Sequence, residues 1–430
     1  MISERLNKIN TFLAYLFFLS PLYAAINLFN LGTFNFSMQF LVSLLLLASS
    51  FALCIFENNL TPSRIVVFVL LLVVSILFAI LGQNPVNGTG ILLLVYWLLF
   101  YLFVIRTDNN RSKKSFSLIT ACKWFLSISS VLCLFGIYQF ISYSFLPGAP
   151  LSEIIPEQIL VSGYNTYQFA NVGSFTLFKA HSIYLEASSF SQISAIGLIL
   201  SISLKNSMTK HKLVLYVVLN SIGLLISLSG TGLLMIAVFG LYLFLLSKIS
   251  VKKKIALAIS LSVFIVIVLN TSIGKYLLSR VGEMSSDGYS SGYYRFLLPF
   301  DIFLKYFKTY PFGFGVGNDN IALKMVGAFE TSIGNGYGKI LVELGIAGLA
   351  LMFLLLLSVY PRNMNVRTSV GVPIFIIIVM LNMVGTSYMQ PSFWSFVSAL
   401  SISGATIPCS KHVKYNAVST LKKLQPTFKQ

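Results

Sequence analysis

The chain has 430 residues, of which 56% are hydrophobic and 10% charged, with a mean hydropathy of +0.84. That composition excludes an ordinary soluble domain and predicts an all-α polytopic membrane protein. The net charge of +18 invites a nucleic-acid or other anionic partner, a reading that the distribution of the charges removes below.

Apolar segments of about 20 residues, long enough to cross a bilayer as helices, recur along the chain. The alternating segments of about 10 residues that mark a transmembrane β-barrel are absent. Met1 to Asn10 carries Arg5 and Lys8, but no small-residue cleavage site follows, so the first apolar segment reads as a span. Twelve spans are predicted, at 10–29, 36–56, 65–82, 90–105, 117–143, 187–204, 212–228, 231–248, 255–270, 337–358, 372–388 and 392–409, forming one transmembrane domain over 1–430. Alternate connections hold Arg5 and Lys8, Arg64, the 106–114 turn, Lys205 to Lys212, Lys252 to Lys254, Arg362 and Arg367, and the C-terminal tail. The positive-inside rule makes that set cytoplasmic, with both termini inside. The inner set then carries 22 of the 30 basic residues and three of the 12 acids, the outer set eight and nine. The basic excess is therefore topogenic and implies no nucleic acid.

Two outer connections are long, 144–186 and 271–336, and both are rich in Tyr, Phe and Gly. Long loops of this kind are usually functional or disordered, and this composition, poor in low-complexity repeats, favours folded loops that line a site or a water-filled cavity. Within the second, 299–310 reads as a short helix lying on the membrane: Pro299 suits the first helical position, Asp301, Lys305 and Lys308 form a polar stripe, and Phe300, Ile302, Phe303, Leu304 and Phe307 cover the rest. Pro311 stops it, and Gly313, Gly315 and Gly317 follow in a loop whose backbone can approach a ligand closely.

The candidate chemistry lies on the outer side. Arg280 and Arg295 have no topogenic use there, and a guanidinium fork suits phosphate or pyrophosphate; the alternative is a surface ion pair with Glu283 or Asp287. Lys339 and Glu343 share a helix face in an apolar segment, where ionisable groups are functional candidates or a structural ion pair. His181 and Glu186 stand where the first long loop re-enters the membrane, and either is a candidate base toward a hydroxyl. The four cysteines, Cys54, Cys122, Cys133 and Cys409, form no CxxC pair and read as small residues packed in a bundle. With three histidines, His181, His211 and His412, no metal cluster is expected. The glycan sequons at Asn87 and Asn270 are discounted, the first for its very short turn and the second for its membrane edge.

Four local patterns carry a resemblance. Tyr184-Leu-Glu-Ala-Ser-Ser-Phe190 resembles an F-x-E-P-S segment, with Ala187 in place of Pro. Leu225 to Leu234 (LISLSGTGLL) resembles an L-S-x-S-x-T/G turn. Ser290-Ser-Gly-Tyr-Tyr-Arg295 with Tyr310-Pro-Phe-Gly-Phe-Gly-Val-Gly317 is similar to an S-S-G-R … P-x-x-G-x-G-x-G run. Asn335, nine residues and Gly345-Ile-Ala-Gly348 are similar to H-N-x9-G-x-x-G, with Gly334 in place of His. In this order, and with two large periplasmic loops, the chain resembles the O-antigen polymerase and O-antigen ligase superfamily (the Wzy and WaaL type).

The resemblance implies a helical membrane glycosyltransferase of the GT-C type in the bacterial inner membrane. It implies an undecaprenyl-pyrophosphate-linked donor, no cofactor and no metal. The missing histidine tilts it toward the polymerase; ligase activity, a flippase or transporter, and a non-enzymatic assembly partner are the alternatives. Expected partners are the lipid-linked glycan donor and acceptor, membrane lipid, a chain-length regulator and a flippase. The expected roles are Glu186 or His181 as base, Arg295, Arg280 and Lys339 on the pyrophosphate, and Tyr293, Tyr294, Asn335 and Glu343 against glycan. Tyr289 is a further residue that could stack on a sugar.

Overall fold

The computed structural model describes residues 2–31, 34–57, 73, 87–105, 116–146, 160, 168–246, 250, 252, 270–272, 274–276, 291–328, 332–360, 370–385 and 389–403. The spans expected at 65–82 and 255–270 lie outside these residues apart from 73 and 270, as do Arg280, Glu283, Asp287, Tyr289, Cys409 and His412.

Helix α1 (Ile2–Phe18) is followed by a 3-10 turn (Ser20–Tyr23) and an antiparallel hairpin of β1 (Asn27–Leu31) and β2 (Phe34–Ser37). The first expected span, 10–29, is thus cut at Phe18. Pro21 removes a backbone donor, and Asn27 and Asn30 carry polar groups that strand pairing accommodates better than lipid does. Thereafter expectation and structure agree within a few residues: α2 (Met38–Glu57), α3 (Gly88–Phe103), α4 (Leu118–Phe145), α5 (Ala187–Ser203), α6 (Lys210–Ile226) and α7 (Gly230–Leu246). A second hairpin, β3 (Phe169–Val172) with β4 (Phe175–Phe178), precedes α5. Three short helices follow, α8 (Ser291–Phe296), α9 (Leu298–Tyr306) and α10 (Asp319–Met325), then α11 (Gly336–Val359), α12 (Val372–Val384) and α13 (Pro391–Ile402). Among the described residues three helices are long and apolar enough to cross a membrane, Met38–Phe56, Leu118–Phe145 and Gly336–Val359, with shorter apolar helices at Gly88–Phe103, Ala187–Ser203, Gly230–Leu246 and Val372–Val384. The described residues are mostly helical, with the apolar helices of a membrane protein.

Helix α5 is the centre of the bundle. It packs against α4, α6, α7 and α12 and is buried from Phe190 to Ser201 on every face. A helix enclosed all round must satisfy its polar groups internally. Ser201 donates to the Gly197 carbonyl, and Ser191 Oγ accepts from the Gly232 amide. Close approach is secured by small residues: a Cβ at Gly232 would collide with Ser191, and one at Gly197 with the Asn220 amide. Cys54, Cys122 and Cys133 are buried free thiols, as the packing reading expected.

Helix α9 begins at Leu298, so Pro299 occupies its second position, and it ends at Tyr306 rather than Tyr310. Residues 307–310 form a turn instead, in which Tyr306 O accepts from both Thr309 N and Tyr310 N. Leu298, Pro299 and Ile302 face a small second core with Tyr294, Phe314, Leu323, Ile333 and Val342, while Phe300, Leu304 and Phe307 point outward beside Lys305 and Lys308. An exposed apolar face next to lysines is what a helix seated at a lipid surface presents.

The most consequential irregularity is in α11. Gly345 has φ 63 and ψ −159, which interrupts the helical ladder inside an apolar segment. The broken turn leaves carbonyls to be satisfied, and the glycine loop does this: Phe314 N donates to Val342 O at 2.8 Å and Gly315 N to Glu343 O at 2.9 Å. Gly313 has φ 80, and a Cβ there would stand 2.6 Å from the Glu343 carbonyl. The glycine run is a docking strip for a broken helix, where the sequence predicts a loop approaching a ligand.

Candidate functional site

The segment before α5 is built as a latched turn. Gln139 of α4 bonds Ser182 twice, accepting from its amide at 2.7 Å and donating to its carbonyl at 2.9 Å. Ser182 has φ 55, a left-handed conformation unusual for serine, and these bonds offset its cost. Ala180 N donates to Ile226 O, tying the same turn to the end of α6. His181 sits inside this turn, 3% exposed, with Nδ1 3.1 Å from the Tyr184 carbonyl and its ring against Phe178.

Glu186 follows as the N-cap of α5, in extended conformation. Its carbonyl accepts from Ser189 N and Phe190 N, which leaves the carboxylate free to project away from the helix axis. Glu186 Oε2 accepts from Ser188 Oγ at 2.7 Å and from Arg295 Nη2 at 3.3 Å. The glutamate side chain is 49% exposed and the arginine side chain 19%. Arg295 Nη1 also donates to Val384 O, at the end of α12, at 3.4 Å. Both arginine contacts are longer than a tight charge-assisted bond.

The other sequence patterns converge here. Thr231, in the turn opening α7, donates to Ser188 O at 3.1 Å, which brings the 225–234 pattern against the Glu186 turn. On the far side, the backbone at Gly334 lies under Arg295: a Cβ there would be 3.2 Å from Arg295 Cγ and 3.4 Å from Nε. Next to it Asn335 caps α11, its Oδ1 accepting from Tyr337 N and Gly338 N. The helix starts at Glu186, Gly230 and Asn335 and the Arg295 guanidinium thus belong to one neighbourhood. Helix starts carry partial positive charge, so the surroundings favour an anion next to the arginine.

A second charged group is assembled differently. Lys339 Nζ lies 2.9 Å from Asp319 Oδ2 and 3.5 Å from Glu343 Oε1, and also donates to Ser332 Oγ at 3.2 Å. Glu343 is fully enclosed, and Asp319 is buried. The ammonium expected on a pyrophosphate is instead taken up by two carboxylates, and the structural ion pair weighed for Lys339 and Glu343 is present.

Of the expected glycan contacts, Tyr294 is packed in the second core, Asn335 is committed to its helix cap, and Glu343 has no exposed surface; a sugar reaches none of them without rearrangement. Tyr293 keeps a partly open ring, and its hydroxyl donates to Asp301 Oδ2 at 2.9 Å. Burial, then that bond, push its phenol above the usual tyrosine range, so it stays a neutral donor. The sequence reading missed Asp319, Ser188 and Gln139. A signal for Asp319 existed: it opens a helix directly after the glycine run. Asn87 is also explained, since it caps α3 and donates to Gly317 O at 2.8 Å, which commits the amide that a glycan would need. Among the described residues no cluster of His, Cys, Asp or Glu has the makings of a metal site.

Two comparisons with known proteins bear on this site. A family model described as O-Antigen ligase matches residues 215–353, a segment that contains the 225–234 turn, Arg295, the glycine run and the Asn335 cap, while Glu186 and His181 precede it. No curated protein matches the chain.

Proposed function

From the match of residues 215–353 to the O-antigen ligase family model, we propose a membrane glycosyltransferase that joins undecaprenyl-pyrophosphate-linked oligosaccharide repeat units at the periplasmic face of the inner membrane. The family match supports surface-glycan assembly of the ligase or polymerase kind. The polymerase is favoured because Gly334 stands where the resemblance expects histidine, and the Arg295 side chain lies across that glycine.

One observation carries the reading: among the described residues Arg295 is held only by long contacts to Val384 and to Glu186, which caps the start of α5. A cation so held can exchange a carboxylate for a pyrophosphate at little cost, because partly exposed ion pairs are worth about 0–1 kcal/mol. In the proposed reaction the donor pyrophosphate sits against Arg295, with Arg280 as a second cation. An acceptor sugar hydroxyl attacks the anomeric carbon. The C–O bond to pyrophosphate breaks, and undecaprenyl pyrophosphate leaves as charge gathers on its oxygens, where Arg295 stabilises it. The displaced Glu186 carboxylate receives or orients the hydroxyl proton. Glu186 is better placed for this than His181, being half-exposed and next to the arginine. The reaction as written requires no metal.

The test is the envelope polysaccharide of a strain lacking the protein, resolved on a gel. Single repeat units on lipid A core with no ladder support the polymerase. Bare core with accumulated lipid-linked polymer shows a ligase. Lipid-linked single units trapped on the inner leaflet indicate a flippase and remove the assignment.

A further inference from the structure

The buried charge cluster beside the site has a feature that a simple ion pair does not need. One atom, Asp319 Oδ2, accepts three bonds: from Ser332 Oγ at 2.8 Å, Ile333 N at 2.9 Å and Lys339 Nζ at 2.9 Å. Two of these donors belong to the turn that leads directly into Gly334. Asp319 is 4% exposed and sits at the first position of α10, immediately after the glycine loop that docks on the break in α11. The carboxylate therefore fixes the turn 332–334 relative to both the loop and the helix.

That turn is the wall against which Arg295 rests. The arginine's side chain passes over Gly334 so closely that an added Cβ would stand 3.2 Å from Cγ and 3.4 Å from Nε. Among the described residues the guanidinium has only long bonds at its tip, to Glu186 and Val384. Weak terminal bonds do not define a side chain with four rotatable bonds, so its direction is set by the surface it lies on. A shift of the 332–334 backbone would move that surface and turn the fork away from the carboxylate.

We propose that Asp319 is a positioning residue for Arg295, acting through the turn 332–334; the proposal rests on Arg295 serving the glycan transfer described above. Lys339 completes the device. It neutralises Asp319, and its own contact with Glu343 ties the aspartate to the helix turn that receives the glycine loop. The chain of contacts runs from the α11 break, through Glu343, Lys339 and Asp319, to the turn beneath the arginine. Asp319 touches no substrate in this arrangement.

The experiment uses the full-length protein in nanodiscs, with lipid-linked repeat units extracted from a strain lacking it. Hydrogen exchange of the 332–340 peptide is compared between the wild type and Asp319→Ala, and transfer is measured for Asp319→Ala, Arg295→Ala, the double variant and Asp319→Asn. Faster exchange is expected in Asp319→Ala, because the Ile333 amide loses its acceptor. Transfer should fall by about 10- to 100-fold, as displacements of about 1 Å at a catalytic group do. The double variant should be no worse than Arg295→Ala alone, since the two residues act as one unit. Asp319→Asn keeps an acceptor oxygen and should recover most of the transfer, which also covers the case of an alanine variant that does not fold. Unchanged exchange, or losses that multiply in the double variant, would overturn the positioning role while leaving Arg295 in place. Full transfer by Arg295→Ala alone would overturn both this proposal and the function it rests on.

Discussion

Two basic residues on the same side of the molecule meet carboxylates in opposite ways. Arg295 is joined to Glu186 by one 3.3 Å contact, and the glutamate is half-exposed. Lys339 has two carboxylates, one at 2.9 Å; both carboxylates are buried, while the lysine side chain itself is 13% exposed. The first pair is cheap to separate, because water and salt already compete for it. The second is costly to break, because removing one partner strands a charge in a low-dielectric interior. The same pairing of unlike charges thus produces an exchangeable site in one place and a fixed joint in the other. Burial, not charge, decides which.

The largest effect that would break this contrast is on stability. Lys339→Met leaves Asp319 and Glu343 enclosed without their cation, and should cost on the order of 3–5 kcal/mol, read as a lowered unfolding temperature of the detergent-solubilised protein. A variant as stable as the wild type would mean that the cluster is not the joint it looks like. Gly313→Ala tests the neighbouring joint. Its φ of 80 and a Cβ 2.6 Å from the Glu343 carbonyl predict a loss of about 3 kcal/mol in the same assay. Arg295→Ala should invert the pattern: transfer falls by about 100-fold, equivalent to about 2.7 kcal/mol, while unfolding shifts by less than about 1 kcal/mol. Arg295→Lys sharpens this further, since it keeps the charge but loses the fork, and an intermediate rate is expected. The smallest effect belongs to Asn87→Ala, which removes a helix cap and a bond to the glycine loop, and should cost about 1 kcal/mol of stability with transfer preserved.

How much of this was legible in the sequence follows from which interactions are local. Helices such as 118–145 and 187–203 are written in runs of apolar residues, and their ends were read within two residues. The first span was overextended because hydropathy does not register a single proline followed by strand pairing. At the site, the resemblance singled out Glu186, the 225–234 turn, Arg295 and Asn335, and these segments do meet. It did not reveal what each is occupied with. Lys339 at four residues from Glu343 was recognisable as a pair, but Asp319 is 20 residues away from Lys339 along the chain and no periodicity links them. Tyr294 and Asn335 had polar atoms and the right neighbourhood, yet tertiary packing and a helix cap claim them. The helix break at Gly345 was hidden for a similar reason: glycine within an apolar span is compatible with an unbroken helix until a partner loop arrives to satisfy the freed carbonyls.

The most direct test of the account is the surface polysaccharide of a strain whose only copy of this protein carries Arg295→Ala, compared at matched membrane abundance with the wild type. The account predicts that the ladder of long chains disappears, leaving the pattern of the strain that lacks the protein, while the variant inserts and unfolds like the wild type. A ladder of normal length and intensity would contradict it, and would mean that the loosely held arginine is a surface ion pair and nothing more.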